Sequence, residues 1–351
     1  FPPIAPREHF PGESVLPLAG RIAAAVAVAL TVALVAHDLD ALRYQPPGAD
    51  FYDDVSYHLP AAATWLRYAD LRMLRVEVGD KSTTFYPVLG ELMSWIAMAV
   101  PGGNDFFARW SQLPAGLGLL MAVWALTRRA GGTAGSAAFA VTLALSIPRF
   151  LPDGAFSAGN DVWSAFWLCA ALLFLLRSVE GPRLGDALLL GIAIGGLIGT
   201  KYLTLLWLPA LLAAALAAGV ARVVLRLPWR NWIRLGLVLG GAALATGGFV
   251  YLRNLAMVGN PVFPAPVSLL GYELFPGRVE AGLAARAALL PTGIRRLGAF
   301  AERPELLGAI WAQLFLPSLL LLPIAAVAVA VRKRDSGARA LAAIALVFSV
   351  Q

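Results

Sequence analysis

Long, uninterrupted apolar runs separated by short polar or basic connections organise this chain. They cover residues 17–36, 106–127, 133–148, 162–176, 184–199, 203–219, 235–252 and 310–331, with a last one from 338 to 351. The runs are rich in Leu, Ala and Val and none alternates with period two, so the pattern predicts helices and not half-buried strands. Runs of about 15–22 apolar residues reach or approach the length that crosses a hydrocarbon core of ~30 Å. Only helices or closed barrels can make that crossing. The expected fold class is all-α: a polytopic membrane helix bundle, with residues 1–351 forming one transmembrane domain.

Composition points the same way. Of 351 residues, 59% are hydrophobic and 14% charged, where soluble domains carry about a quarter charged residues. The mean hydropathy is +0.72. The net charge of +7 sits mostly in clusters between apolar runs, where membrane orientation explains it better than nucleic acid. Cys169 is the single cysteine, so no disulfide forms within the chain. The chain does not start with Met and stops inside an apolar run. It is expected to be a fragment lacking a short N-terminal piece and a longer C-terminal part. The first run has no cleavage-site pattern after it and is expected to be a membrane helix, not a signal peptide.

Residues 86–100 form a shorter apolar run that carries Glu91. If this run does not cross, Arg128-Arg129, the four arginines between 222 and 234, and Arg332-Lys333-Arg334 all fall on one side, the cytoplasm. The run is therefore expected as a half-embedded amphipathic helix at the outer face. The outside then receives a large first loop, residues 37–105, holding ten of the 21 acidic residues. It also receives residues 148–161, the turn around Lys201, and a second large loop, residues 253–307. No internal repeat is visible, which weighs against transporter folds built from inverted halves.

Candidate chemistry gathers on that outer side. In "FYDDVSYHLP", Asp53 and Asp54 either cap a helix or act as a general base or metal ligands at the membrane surface. His58 is a second ligand, a hydrogen-bond partner or an interfacial ring, and Tyr57 is an interfacial aromatic. Asn160 and Asp161 either cap the helix that follows or add a carboxylate to the same cavity. Lys201, one of three lysines against 25 arginines, either snorkels or holds a lipid phosphate. Arg253 lies at the equivalent depth and suits a bidentate phosphate contact. The turn signal Gly259-Asn260-Pro261 fixes a loop path. No phosphate-binding glycine loop, zinc-protease motif or Ser-His-Asp order is present.

In chain order, "YDDVSYHLPAAATWL", "TTFYPVLGELM", "SAGNDVWSAFWLCAALLFLL", "GLIGTKYLTLLWLP" and "RNLAMVGNPVFP" resemble the GT-C membrane glycosyltransferases. The closest branch is the bacterial relatives of protein O-mannosyltransferases and of the aminoarabinose transferase of lipid A. The resemblance covers roughly residues 36–264. It implies a GT-C-like helix bundle with a large extracytoplasmic first loop carrying amphipathic helices. It also implies a polyprenyl-phosphate sugar donor and a lipid, glycan or protein acceptor, with transfer on the outer side of a bacterial inner membrane. Asp53 matches the acid of the first loop, the general base. Asp54 stands where many relatives have Glu or a small residue. Asp161 matches a second acid that helps bind a metal in some relatives, with Asp53 as its partner here. A divalent metal is an option and no cofactor is a requirement. Lys201, with Tyr202 beside it, and Arg253 match positions suited to the donor phosphate. Tyr86, Pro87 and Glu91 match a "YPPLGEL"-like segment, with Val88 in place of the second proline. His58, Tyr57, Tyr86, Glu91 and Asn160 are expected to line the cavity. The competing readings are a transporter or flippase of a lipid-linked sugar, and a non-catalytic scaffold.

Overall fold

The computed structural model describes residues 53–74, 81–145, 157–220, 226–269 and 271–277, with residues 29 and 223. The expected runs at 17–36, 310–331 and 338–351, and the basic cluster at 332–334, lie outside the described residues, as do parts of both large loops.

Nine α-helices are described. They are α1 (Leu59–Tyr68), α2 (Leu89–Ala99), α3 (Leu113–Arg129), α4 (Ala134–Leu145), α5 (Asp161–Glu180), α6 (Leu184–Thr200), α7 (Leu208–Ala218), α8 (Trp229–Gly247) and α9 (Phe249–Val258). The all-α expectation needs one amendment. A small antiparallel hairpin, β1 (Val267–Leu269) and β2 (Tyr272–Phe275), follows α9, turning through Gly271 at φ +86°.

The apolar runs fold less continuously than their hydropathy suggests. Run 106–127 begins as a 3₁₀ segment, Asp105–Gln112, and becomes α-helical only at α3. Run 203–219 divides the same way, into a 3₁₀ segment Tyr202–Trp207 and α7. Pro114 and Pro209 sit at the first helical positions, where a missing N–H costs nothing. Run 235–252 is broken outright: α8 and α9 meet at a bend of 70°. Among the described residues one helix is long and apolar enough to cross a bilayer, over Asp161–Ser178, and the bent α8–α9 pair is a second if it counts as one span. The run 86–100 yields only α2, 11 residues long, too short to cross.

The centre of the bundle is α6, packed between α5 and α8. Its glycines explain the fit with α8. A Cβ on Gly191 would lie 2.3 Å from the Leu239 carbonyl oxygen, one on Gly195 2.5 Å from that of Ala243, and one on Gly199 2.9 Å from Gly247 Cα. The four-residue spacing puts all three on one face, so the two backbones touch, as in small-xxx-small helix pairs. Gly195→Leu should therefore separate α6 from α8. Overpacking of this kind costs roughly 1–3 kcal/mol. The measurable outcome is a lower unfolding temperature in detergent, and an unchanged midpoint would contradict the contact. On its other side α6 carries Leu197 and Ala193 into a core with Leu172, Leu175 and Leu176 of α5.

The two ends of the bundle differ in chemistry. At one end Arg129 donates to the Leu176 carbonyl at 3.0 Å, and Arg177 pairs with buried Asp186 at 2.8 Å. The opposite end of α5 is about 30 Å away at 1.5 Å per residue. There Asp161 and the described part of the acidic loop assemble.

Candidate functional site

The site starts from a widened turn. Leu59 N–H bonds to the Asp54 carbonyl, five residues back, so Asp54–His58 is a π turn. Pro60 explains it: proline has no N–H for the Ser56 carbonyl, and its ring crowds that carbonyl. π turns recur at functional sites. This one points Asp54 and His58 inward, 1% and 4% exposed, and leaves Asp53 exposed at its head. Asp53 makes no capping hydrogen bond, so the capping alternative does not describe it.

Asp54 reaches the loop before α5. Its Oδ2 accepts the Ala158 N–H at 2.8 Å. Burial raises its carboxyl above the ordinary value of 3.8; the Ala158 hydrogen bond and His58 act against this, and the Asp53 and Asp161 charges add to it. An acid whose folded-state pKa is raised binds its proton more tightly when folded. Its contribution to stability is present below 3.8 and is lost as pH rises through the folded value. Asp54→Asn, uncharged at every pH and still able to accept from Ala158, should flatten that fall. Unfolding midpoints between about pH 4 and 7 check this, and equal slopes for wild type and variant would contradict it.

His58 Nδ1 lies 2.6 Å from Glu91 Oε1, both side chains being buried. With Nδ1 carrying the ring hydrogen, His58 donates to Glu91 Oε1. Asn160 completes the cluster. Its Nδ2 lies 3.4 Å from both Glu91 Oε1 and the Thr200 carbonyl. It forms no capping hydrogen bond for α5, so the expected helix cap is replaced by a contact across three elements. Gly90 makes room for it: a Cβ there would lie 1.7 Å from Asn160 Oδ1.

Asp161, in the first turn of α5, receives Lys201 Nζ at 2.6 Å, with side chains 63% and 38% exposed. Lys201 is thus partnered by a carboxylate. Tyr202 next to it accepts from Asn254 Nδ2 at 2.7 Å, and its hydroxyl faces the carbonyls of Phe85 at 2.9 Å and Phe263 at 3.0 Å. The bend between α8 and α9 brings Asn254 and Arg253 back over this point. Arg253 Nη2 donates to the Thr84 carbonyl at 3.2 Å and to Asn254 Oδ1 at 3.0 Å. Rings at edge-to-face spacing run from Tyr57 through Tyr86 and Tyr202 to Tyr251, 6.1, 5.6 and 5.8 Å apart.

Beside these groups lies a small cleft, open to solvent, whose walls include Tyr57, Trp65, Arg72, Tyr86, Glu91 and Arg253. Asp53, Asp161, Lys201 and Tyr202 are not among its walls. Asp53 and Asp161 still lie close enough to raise the Tyr57 hydroxyl pKa, after burial as the main cause. Among the described residues no group of three or more His, Cys, Asp or Glu side chains is placed to hold a metal ion. A cation held between Asp53 and Asp161 would have to displace Lys201 from Asp161.

Sequence reasoning missed two contributors. Arg72 faces the cleft because Trp65 Nε1 donates to its carbonyl at 2.7 Å, folding the chain back after α1 ends at the left-handed Ala69. Its only sequence signal is a positive charge within an acidic loop. Asn254 is fully buried and holds both Arg253 and Tyr202. A buried asparagine beside a singled-out arginine was its signal. Asn260 is confined to the loop it shapes, donating to the carbonyls of Ala265 and Pro276 and accepting from Val262 N–H.

Residues 86–247 match the family model described as dolichyl-phosphate-mannose-protein mannosyltransferase. That segment is similar to the GT-C membrane glycosyltransferases. The matched segment is a little under half of the chain. It contains Tyr86, Glu91, Asn160, Asp161, Lys201 and Tyr202, while Asp53 to His58 and Arg253 lie on either side of it. No curated protein matches the chain, and no solved structure does.

Proposed function

We propose that this protein is an integral-membrane glycosyltransferase that moves a sugar from a polyprenyl-phosphate donor to an acceptor hydroxyl. In this reading the bundle is polytopic and sits in a bacterial inner membrane, with the cleft on the extracytoplasmic side. Exposed apolar side chains such as Met121, Leu212 and Leu237, each more than 60% exposed, then face lipid. The observation that carries the reading is the convergence of two arginines, a buried carboxylate and tyrosine rings on one cleft, beside a solvent-facing aspartate.

The chemistry follows from the groups. An acceptor hydroxyl is a weak acid, so it needs a base in the transition state. Asp53, exposed and adjacent, takes its proton. The acceptor oxygen attacks the anomeric carbon, the carbon–oxygen bond to phosphate breaks, and polyprenyl phosphate departs with the electron pair. In-line attack inverts the anomeric configuration. The negative charge that develops on the leaving phosphate needs cations already in place. Arg253 supplies one from the wall of the cleft, while Arg72, also in that wall, is paired with Asp70 at 2.6 Å. Arg72 and Lys201 supply further charge only after releasing Asp70 and Asp161, so both rank behind Arg253. Asp54 holds the loop at Ala158 and keeps the π turn seated. The lipid tail lies along α2.

The test is sugar transfer in membranes containing the protein, from radiolabelled polyprenyl-phosphate mannose, glucose and 4-amino-4-deoxyarabinose. Label passing from one donor to an acceptor, with release of polyprenyl phosphate, is the expected result. No transfer, with labelled lipid-linked sugar still crossing vesicles, would replace this reading with the flippase one.

A further inference from the structure

The His58–Glu91–Asn160 cluster takes no part in the bond changes above, yet one of its members, Glu91, lines the cleft. Glu91 is 3% exposed and is one of the cleft's lining residues. Its two oxygens are treated differently. Oε1 is engaged by His58 Nδ1 at 2.6 Å and faced by Asn160 Nδ2 at 3.4 Å. Oε2 is buried without a hydrogen-bond partner. A buried carboxylate oxygen left unpaired is costly, and native structures seldom leave one without a reason. The ligand that resolves it brings a hydrogen-bond donor. Tyr57 and Tyr86, edge to face with centroids 6.1 Å apart, line the same cleft, which suits a neutral ring carrying hydroxyls. Pockets that are mostly apolar with a few fixed polar groups bind such ligands in one orientation.

The geometry points to Glu91 as the specificity-determining residue of the cleft, its Oε2 accepting a hydrogen bond from one ring hydroxyl of the donor sugar. His58 and Asn160 are positioning residues that hold Oε1 and so aim Oε2. This assignment rests on the glycosyl-transfer reading. A carboxylate fixed in this way rejects a group that cannot donate. Fluorine in place of the hydroxyl is such a group. In Glu91→Gln the His58 hydrogen bond still claims the side-chain oxygen, so an amide N–H₂ occupies the Oε2 position. That donor tolerates fluorine.

The experiment compares kcat/KM for the donor that the transfer assay identifies with its deoxyfluoro analogues, one ring position at a time, in wild type and Glu91→Gln. The expected wild-type preference for hydroxyl over fluorine at one position is about 100-fold or more, since sites built around a hydroxyl discriminate strongly. In Glu91→Gln that preference should fall by about 10-fold at that position alone. The inductive effect of fluorine on the reaction is common to both proteins and cancels in the comparison, and a purely structural role for Glu91 would not move a position-specific ratio. A variant that keeps the wild-type preference at every position overturns the assignment. So does a wild type with no preference at any position, a measurement that stands even if the variant fails to fold. No transfer from any donor in the panel overturns the glycosyl-transfer reading itself, and the two failures are thereby distinct.

Discussion

Asp53→Asn should lower sugar transfer by about 10²–10⁴-fold, the usual worth of a general base, with the protein recovered in membranes at the wild-type level. Asparagine matches aspartate in size, and Asp53 stands exposed at the head of the π turn without a capping bond. The substitution therefore removes a proton acceptor and little else. Its neighbour offers a contrast. Asp54 is 1% exposed and spent on Ala158 N–H, so its replacement acts first on the loop that carries Asn160 and Asp161. Initial rates of transfer, measured against protein recovered, separate the two. Full activity in Asp53→Asn would move the base elsewhere.

The second large effect is expected at Arg253. Arg253→Ala should reduce kcat by about 10²–10³-fold, the cost typical of removing one preorganised donor to a developing anion. Arg253→Lys should recover part of it, because lysine restores the charge but not the planar fork. The position depends on contacts outside the cleft: Asn254 Oδ1 receives both Nε and Nη2 of Arg253 at 3.2 and 3.0 Å. Asn254 is in turn fixed by the Phe85 carbonyl at 2.9 Å. The effect should appear in kcat more than in KM if the phosphate charge that Arg253 meets grows in the transition state. An equal loss in KM alone would make it a binding residue for the ground state.

The sequence by itself determined the helical character, because runs of Leu, Ala and Val without alternation have no other low-energy arrangement in an apolar setting. It also determined the separation of basic connections from an acidic first loop. The residues of interest were legible in different ways: Tyr86 and Glu91 entered through the family resemblance and Asn160 as a candidate helix cap, while Tyr57, His58 and Arg253 stood out as polar or aromatic groups at the rims of apolar runs, and the fold brings all six to one end of the bundle. Local signals sufficed there because a polar group beside an apolar run must find a partner or a boundary.

Tertiary structure decided the rest. Hydropathy reads residues 235–252 as one helix, but the chain bends by 70° where α8 meets α9. Gly247 packs directly on Gly195, where a Cβ would meet the carbonyl oxygen at 2.0 Å. That close approach is a contact between helices some 50 residues apart, invisible to any local window, and it returns Arg253 to the cleft. The division of labour between Asp53 and Asp54 is likewise a burial difference, set by Pro60 and by a loop 104 residues away. Lys201 read as a phosphate ligand because it is a lone lysine at a helix end. Its pairing with Asp161, 40 residues earlier, depends on α5 and α6 lying side by side. Arg72 had no apolar periodicity or cap to mark it and is placed at the site by the hydrogen bond from Trp65 to its backbone and by its pairing with Asp70.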